Sequence, residues 1–256
     1  MENKNPIQVA DRLFQTMEIL ADTGPVSLAE LQTHLPLNKS TLHRLLASLI
    51  YMGYANQDKD GKYFLSFKLL TLSGKLLSHM DILDAIRPCL KELAEHTGET
   101  VHFVRLDGDM AIYIAKESSC RNSVRMVSRV GSRIPLYCSG VGKSLLSSMT
   151  PEEICHYWQH AEIRKFTENT ITSPDVMEQA LQQIKQTQYA LDDEEHEPGV
   201  RCIAVSIPWY DKTARYALSI SAPVNRMPYQ RIDELATLLR HAKEEFINFY
   251  KLPSDV

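Results

Sequence analysis

Apolar positions along the chain set the first expectations. Near the N-terminus they fall at Ala10, Leu13, Phe14, Met17, Leu20 and Ala21, the spacing of an amphipathic helix that Gly24-Pro25 stops. Ser27-Leu28-Ala29-Glu30 is a capping box, in which the serine accepts from the third amide and the glutamate reaches back. The short helix it opens ends near Pro36. Asn38 caps a third helix, NKSTLHRLLASLIYMGY, where Leu42, Leu45, Leu46, Leu49 and Ile50 form the buried stripe. Lys39, Ser40, Thr41, His43, Arg44 and Ser48 face away from it. Gly53 ends this helix, and YANQDKDGKYFLS alternates about an Asp60-Gly61 turn as a small hairpin. Two short helices in tight succession, the second rich in donors near its start, followed by a hairpin, predict a winged helix–turn–helix.

The pattern changes after this segment. FKLLTLSGKLLSHM places Leu69, Leu72, Leu76 and Leu77 on one side of a helix whose apolar stripe needs a partner. Asp81 starts another helix that runs to about Thr97-Gly98. TVHFVRLDGDMAIYIAKE reads as two strands about Asp107-Gly108. Thr150-Pro151-Glu152-Glu153 and Ser173-Pro174 each open a helix, because proline suits the first helical position. Residues Tyr229 to Tyr250 form a long amphipathic helix. Between these lie two strands, roughly 201–209 and 213–221, joined by a turn around Asp211-Lys212. Their alternation puts Cys202, Ala204 and Ser206 on one face with Ala217, Ser219 and Ser221, and leaves the other face apolar. A turn centred there sets Cys202 beside Ser221 and Ala204 beside Ser219. Hairpins flanked by helices predict an α+β domain with a mainly antiparallel sheet. The expected division is 1–65 for the winged helix–turn–helix, 66–80 for a linker helix and 81–256 for the second domain.

Composition narrows the class. The chain has 256 residues, enough for two domains, and its 44% hydrophobic content can fill a core in each. No run of eighteen apolar residues occurs and MENKNPIQVADR lacks an apolar signal core, so a cytoplasmic protein without a membrane segment is expected. Five cysteines without C-x-x-C spacing argue against a disulfide framework or a zinc ribbon. Residues 1–80 carry 8 Lys+Arg against 7 Asp+Glu, or +1, while the remainder carries 20 against 25, or −5, which together make the net charge of −4. That asymmetry is too mild to identify a DNA binder by itself.

CSGVGKSLL, residues 138–146, has the look of a phosphate-binding loop. Such a loop needs G-x-x-x-x-G-K-[ST], and the position five before Gly142 is Tyr137. Arg133-Ile134-Pro135-Leu136 is also a poor buried strand, since proline cannot donate to a ladder. A nucleotide site is therefore excluded. The Cys/Ala/Ser face of the two later strands leaves room for a ligand and offers hydroxyl donors, although small residues also pack closely under a helix.

PVSLAELQTHLPLNKSTLHRLLASLIYMGYANQDKDGKYFLSFKLLTLSG resembles the DNA-binding half of the IclR family of bacterial transcriptional regulators. The carrying features are a Lys-Ser-Thr-x-x-Arg-Leu-Leu run opening the recognition helix and a Gly-Lys-Tyr-x-Leu strand closing the wing. The resemblance extends over essentially the whole chain. It implies that Lys39, Ser40, Thr41, His43 and Arg44 lie nearest double-stranded DNA and that Lys59 and Lys62 touch phosphates. It implies a GAF-like effector-binding second domain that takes a small carboxylate-bearing metabolite. The family's Asp, Cys ten residues later and Ser-x-Ser seventeen beyond fall on Asp192, Cys202, Ser219 and Ser221. Its amides at a helix start fall on Gly140 and Val141, and its apolar lining on Met126 and Ile134. Lys143 is read as a solvated helix residue.

An ionised Asp192 would repel an anion, so it is expected to accept from ligand hydroxyls while the ligand carboxylate meets the serines and the Gly140–Val141 amides. RMVSRVGSRIPLYCSGVGK and YALDDEEHEPGVRCIAV look closest to the sugar-acid branch, such as regulators of 2-keto-3-deoxygluconate or aldonate catabolism. The resemblance further implies a dimer or dimer of dimers on a palindromic operator, with repression relieved by ligand, and neither cofactor nor metal. The alternative is an enzyme on the same metabolite, with Cys202 as nucleophile and His196 as base. Against it, DDEEHE, residues 192–197, reads as a solvated acidic loop with no orienting third group.

Overall fold

A computed structural model of the chain describes residues 5–119, 126–210 and 214–252. The chain divides into two compact units, Met1–Met80 and Asp81–Val256.

The first unit contains helices α1 (Gln8–Thr23), α2 (Leu28–His34) and α3 (Lys39–Tyr51), the hairpin β1 (Ala55–Gln57) and β2 (Tyr63–Leu65), and helix α4 (Lys68–Ser78). The local chemistry explains each start. Ser27 and Glu30 form the reciprocal capping box of α2, and Asn38 Oδ1 accepts from the Thr41 amide at 2.8 Å to open α3. Gly61 takes φ +78° in the hairpin turn, where a side chain would be strained. Val26 pairs with Tyr63, so the hairpin is tied back to the segment between α1 and α2. Leu20, Leu31, Leu42, Leu46 and Leu49 pack around Ala55 and Tyr63 as the core. The expected stripe of α3 is narrower than its spacing suggested, since Ile50 is 38% exposed. At 3.6 residues per turn it lies about 80° round from Leu42, on the margin of the face that Leu45, Leu46 and Leu49 share. Phe14 of α1 is likewise exposed. No residue of α4 is buried, and Leu70, Leu72 and Leu76 stand open.

The second unit is built on one antiparallel sheet. In chain order come α5 (Asp81–Thr97), β3 (Thr100–Asp107), β4 (Met110–Ser118), β5 (Arg133–Pro135), α6 (Gly140–Leu146), α7 (Pro151–His160), α8 (Pro174–Thr187), β6 (Ala190–Asp193), β7 (Val200–Pro208), β8 (Ala214–Pro223) and α9 (Tyr229–Tyr250). The six strands lie in the order β5-β4-β3-β8-β7-β6. Pro135 is accommodated because β5 is an edge strand, where a missing donor costs little. The register of β7 on β8 places Cys202 opposite Ser221 and Ala204 opposite Ser219. The turn expected at Asp211-Lys212 lies outside the described residues.

The two faces of the sheet have different jobs. Val101, Phe103, Ile203, Val205, Leu218 and Ile220 form the apolar side, where Phe103 meets Phe246 of α9 with ring centroids 5.9 Å apart. On the opposite side α6 lies over β7, with Gly140 against Cys202 and Ala204. Side chains there must be small, because a helix start rests directly on the strands.

Candidate functional site

Antiparallel pairing lines up two rungs of side chains across the α6-facing side of the sheet. One rung is Asp192, Cys202, Ser221, Thr100 and Ser118; the next is Ala190, Ala204, Ser219, His102 and Lys116. Residues 192 and 221 are thus brought within one strand of each other by sheet order rather than by sequence spacing.

The start of α6 closes over these rungs. Ser139 Oγ accepts from the Gly142 amide at 3.1 Å and donates to the Pro135 carbonyl at 2.7 Å, fixing the entry angle of the chain. A Cβ on Gly142 would fall 2.2 Å from Leu136 Cα, and one on Gly140 3.2 Å from the Cys202 carbonyl. The glycines that imitate a phosphate loop are therefore there for close backbone approach. The amides of Gly140 and Val141, in the first turn of α6, have no acceptor within the helix.

Between the rungs and α6 lies a cavity with about 460 Å³ of empty space, part of it open to solvent. Met126, Ile134, Gly140 and Val141 line it, as do Asp192, Cys202 and Ser221. Ser219 does not line it. It is fully buried one rung deeper, and its hydroxyl has no hydrogen-bond partner among the described residues. Larger clefts occur elsewhere on this unit, but they are bordered by exposed side chains such as Lys185 or Glu152 rather than by convergent buried polar groups. His102, Tyr113, Ser128, Ser139 and Glu197 also line the 460 Å³ cavity and were not anticipated. The β3 alternation that holds His102 was visible in TVHFV, but not the adjacency of β3 to β8.

Two expectations are corrected here. Lys143 is not solvated: it is buried at 3% exposure and donates to Glu195 Oε1. Nor is the stretch 192–197 a solvated acidic loop. Asp192 and Glu195 are each 5% exposed, and Asp193 accepts from Arg201. The reason is that β6 pairs with β7 through Asp193 and that the Thr167 and Thr170 hydroxyls bond the Glu195 carbonyl, which folds the following turn inward. Lys143 then compensates the charge that this burial would strand.

Burial dominates the electrostatics. Asp192 is pushed up to about 7 by desolvation; Lys143 and the Glu195 and His196 amides pull it down, and the nearby Glu195 carboxylate pushes it up. Glu195 is also raised by burial, with Lys143 acting against it. Cys202 is raised to about 12 by burial and by Asp192, so near neutral pH it is a thiol rather than a thiolate. His196, whose ring lies 5.0 Å from that of Phe166, is lowered by burial. Burial thus disfavours the thiolate that a nucleophilic Cys202 would need.

The first unit presents the other set of residues. Lys39, Ser40, His43 and Arg44 are exposed along the outer side of α3, and Thr41 is half-buried. Ser40 Oγ donates to Asn38 Oδ1 at 2.9 Å, which engages that hydroxyl in the cap. Lys59 and Lys62 are exposed on the hairpin. Among the described residues no group of three or more His, Cys, Asp or Glu is placed to hold a metal ion, and no helix is long and apolar enough to cross a membrane.

A helix–turn–helix with a hairpin wing, followed by an α+β unit with a lined cavity, defines a transcriptional regulator with an effector-binding domain rather than an enzyme. The chain belongs to the IclR family. It matches the IclR helix-turn-helix domain over residues 9–59 and the bacterial transcriptional regulator IclR C-terminal description over residues 74–246. It is 34% identical to the HTH-type transcriptional regulator KdgR of Escherichia coli (strain K12), over 94% of this chain and 92% of that protein. It is 37% identical to the DNA-binding transcriptional repressor YiaJ of the same organism, over 93% and 86%. Among solved structures, Thermotoga maritima IclR aligns with a TM-score of 0.77 at 29% identity, covering 93% of this chain and 97% of that one.

Proposed function

We propose that this regulator represses an operon of sugar-acid catabolism and is released or modulated by a small hydroxylated carboxylate. In this reading residues 1–65 bind a palindromic operator, 66–80 form the linker and 81–256 hold the effector, with the protein acting as a dimer or dimer of dimers. Lys39, Ser40, Thr41, His43 and Arg44 approach base edges in the major groove, and Lys59 and Lys62 hold phosphates. Regulation requires that the effector favour one arrangement of the paired DNA-binding domains over another.

The observation that carries the effector reading is the convergence in one cavity of Asp192, Ser221 and the Gly140–Val141 amides, with Met126 and Ile134 as an apolar wall. An anion is served by the amides and by hydroxyl donation, and Asp192 accepts from ligand hydroxyls. An Asp192 that titrates near neutrality also weakens the repulsion between two carboxylates, because it can hold a proton beside an anion. Ser219, one rung below the lining, supports the floor under Cys202. Similarity to two regulators named KdgR favours the sugar-acid branch.

The test is binding of the full-length protein to DNA from upstream of its own operon, titrated with aldonates, 2-keto-3-deoxygluconate and small 2-oxo acids. One acid at micromolar level should shift operator affinity while random DNA binds far more weakly. Specific DNA binding that no acid alters would overturn the effector class. Loss of sequence preference altogether would overturn the operator reading.

A further inference from the structure

His102 sits at the centre of the cavity wall without a role in the reading above, and its surroundings are unusual for a core histidine. It is 2% exposed on β3, and both ring nitrogens face serine hydroxyls. Nε2 lies 2.7 Å from Ser128 Oγ, and Nδ1 lies 3.4 Å from Ser221 Oγ. Ser128 and Ser221 both line the cavity. A third neighbour is charged: Lys116, directly opposite His102 on β4, donates to the carbonyls of Met126 and Ser128 at 2.7 and 2.6 Å.

A neutral imidazole has one N–H donor and one lone-pair acceptor, and its environment selects which nitrogen is which. Burial, with Lys116 adding to it, holds the ring neutral, with its pKa down at about 3. The lysine charge also orders the ring. The negative end of the imidazole dipole is the bare nitrogen, and it is stabilised when turned toward a cation. Lys116 binds the backbone carbonyl of Ser128, on the Nε2 side of the ring, which favours the tautomer with Nε2 bare. In that tautomer the short 2.7 Å contact is Ser128 O–H donating to Nε2, and the Nδ1 proton faces Ser221 Oγ. With Ser221 oxygen receiving that N–H, its own hydrogen is left for the neighbouring Cys202 sulfur, a weak acceptor, or for a stronger acceptor in the cavity.

We propose that Ser128, His102 and Ser221 form a polarised relay, with His102 as the positioning residue that turns the Ser221 hydroxyl into a donor toward a ligand carboxylate. The opposite tautomer would have Ser221 donate to the ring and present only lone pairs to the cavity, which an anion would avoid. The relay rests on the effector reading for its ligand but not for its internal polarity. It gives the cavity a preference for the acid over the uncharged amide or aldose of the same skeleton, without placing a cation in the site.

Two measurements test it. In full-length protein labelled with 15N-histidine, long-range 15N–1H correlation, with His102 assigned by its absence in His102→Gln, should show the Nδ1–H tautomer unchanged between pH 5.5 and pH 8. An Nε2–H tautomer, or a ring that titrates in that range, overturns the relay whatever ligand the protein takes. The second is a cycle of His102→Phe, Ser221→Ala and the double variant, titrated with gluconate, 2-keto-3-deoxygluconate and uncharged gluconamide. His102→Phe keeps the ring against Tyr113 but removes both nitrogens, and should weaken binding of the acid that wild type prefers by roughly tenfold, the weight of one charge-assisted hydrogen bond. Gluconamide should be little affected, and Ser221→Ala should cost less in the His102→Phe background than in wild type. Additive losses, or equal losses for acid and amide, overturn the relay. If the Nδ1–H tautomer is found but neither acid binds the wild type, the relay stands and the sugar-acid reading falls.

Discussion

Replacing Asp192 by Asn should make the second unit more stable, and increasingly so as the pH rises. The carboxyl is buried on the first rung of the sheet and its pKa is raised from 3.8 to about 7, with desolvation as the leading cause. Folding therefore favours its protonated form. Its contribution to stability is present at low pH and is lost as pH rises from the unfolded value toward the folded one. At about 1.4 kcal/mol per pKa unit, ionising it inside the fold costs about 4 kcal/mol above pH 7. Asparagine keeps an oxygen to accept the Glu195 amide, which lies 2.8 Å from Asp192 Oδ1, and has no charge to bury. The stability difference in favour of Asp192→Asn should grow by about 2–3 kcal/mol between pH 5 and pH 8. Urea unfolding followed by tryptophan fluorescence isolates the effect, because Trp158 and Trp209 both lie in Asp81–Val256. A difference that stays flat with pH would refute the argument. So would a variant less stable at pH 8, which would mean that Lys143 holds Asp192 ionised at a profit to the fold.

Other expectations follow from the same geometry. Lys143→Met strands Glu195 without its counter-ion and should cost about 3–5 kcal/mol at pH 8 by urea unfolding, less at pH 5 where Glu195 can take a proton, with Glu195→Gln restoring most of the loss. Gly142→Ala drives a methyl into the Leu136 backbone and should cost about 3 kcal/mol or more, whereas Gly140→Ala, against the Cys202 carbonyl at 3.2 Å, should fold and chiefly weaken effector response in the operator assay. Lys62→Ala should lower the salt dependence of operator binding by about one counterion, while Arg44→Ala should cost about 1–3 kcal/mol and relax preference at one base position, both read by titration at several salt concentrations. Cys202→Ser should alter effector affinity without abolishing operator binding, since Cys202 lines the cavity of the second unit.

The sequence alone determined every feature whose cause is local. Helix starts at Leu28, Lys39 and Pro151 follow from side chains that bond amides within three residues. The hairpin β3–β4 follows from alternation about Asp107-Gly108, and the facing of Cys202 with Ser221 follows from period-two geometry once the turn is placed. The family resemblance then named cavity residues that local pattern could not. Only the tertiary structure decided which strands became neighbours. By setting β3 between β4 and β8 it brought His102, Lys116, Ser128 and Ser221 together, residues separated by up to 119 positions. The same limit misplaced Lys143. A lysine in a helix next to Ser looks solvated, and its buried partner Glu195 lies 52 residues away. Caps and turns are short-range bonds that a chain segment makes with itself. Burial of a charge depends instead on what long-range packing lays over it, and no stretch of the sequence carries that information by itself.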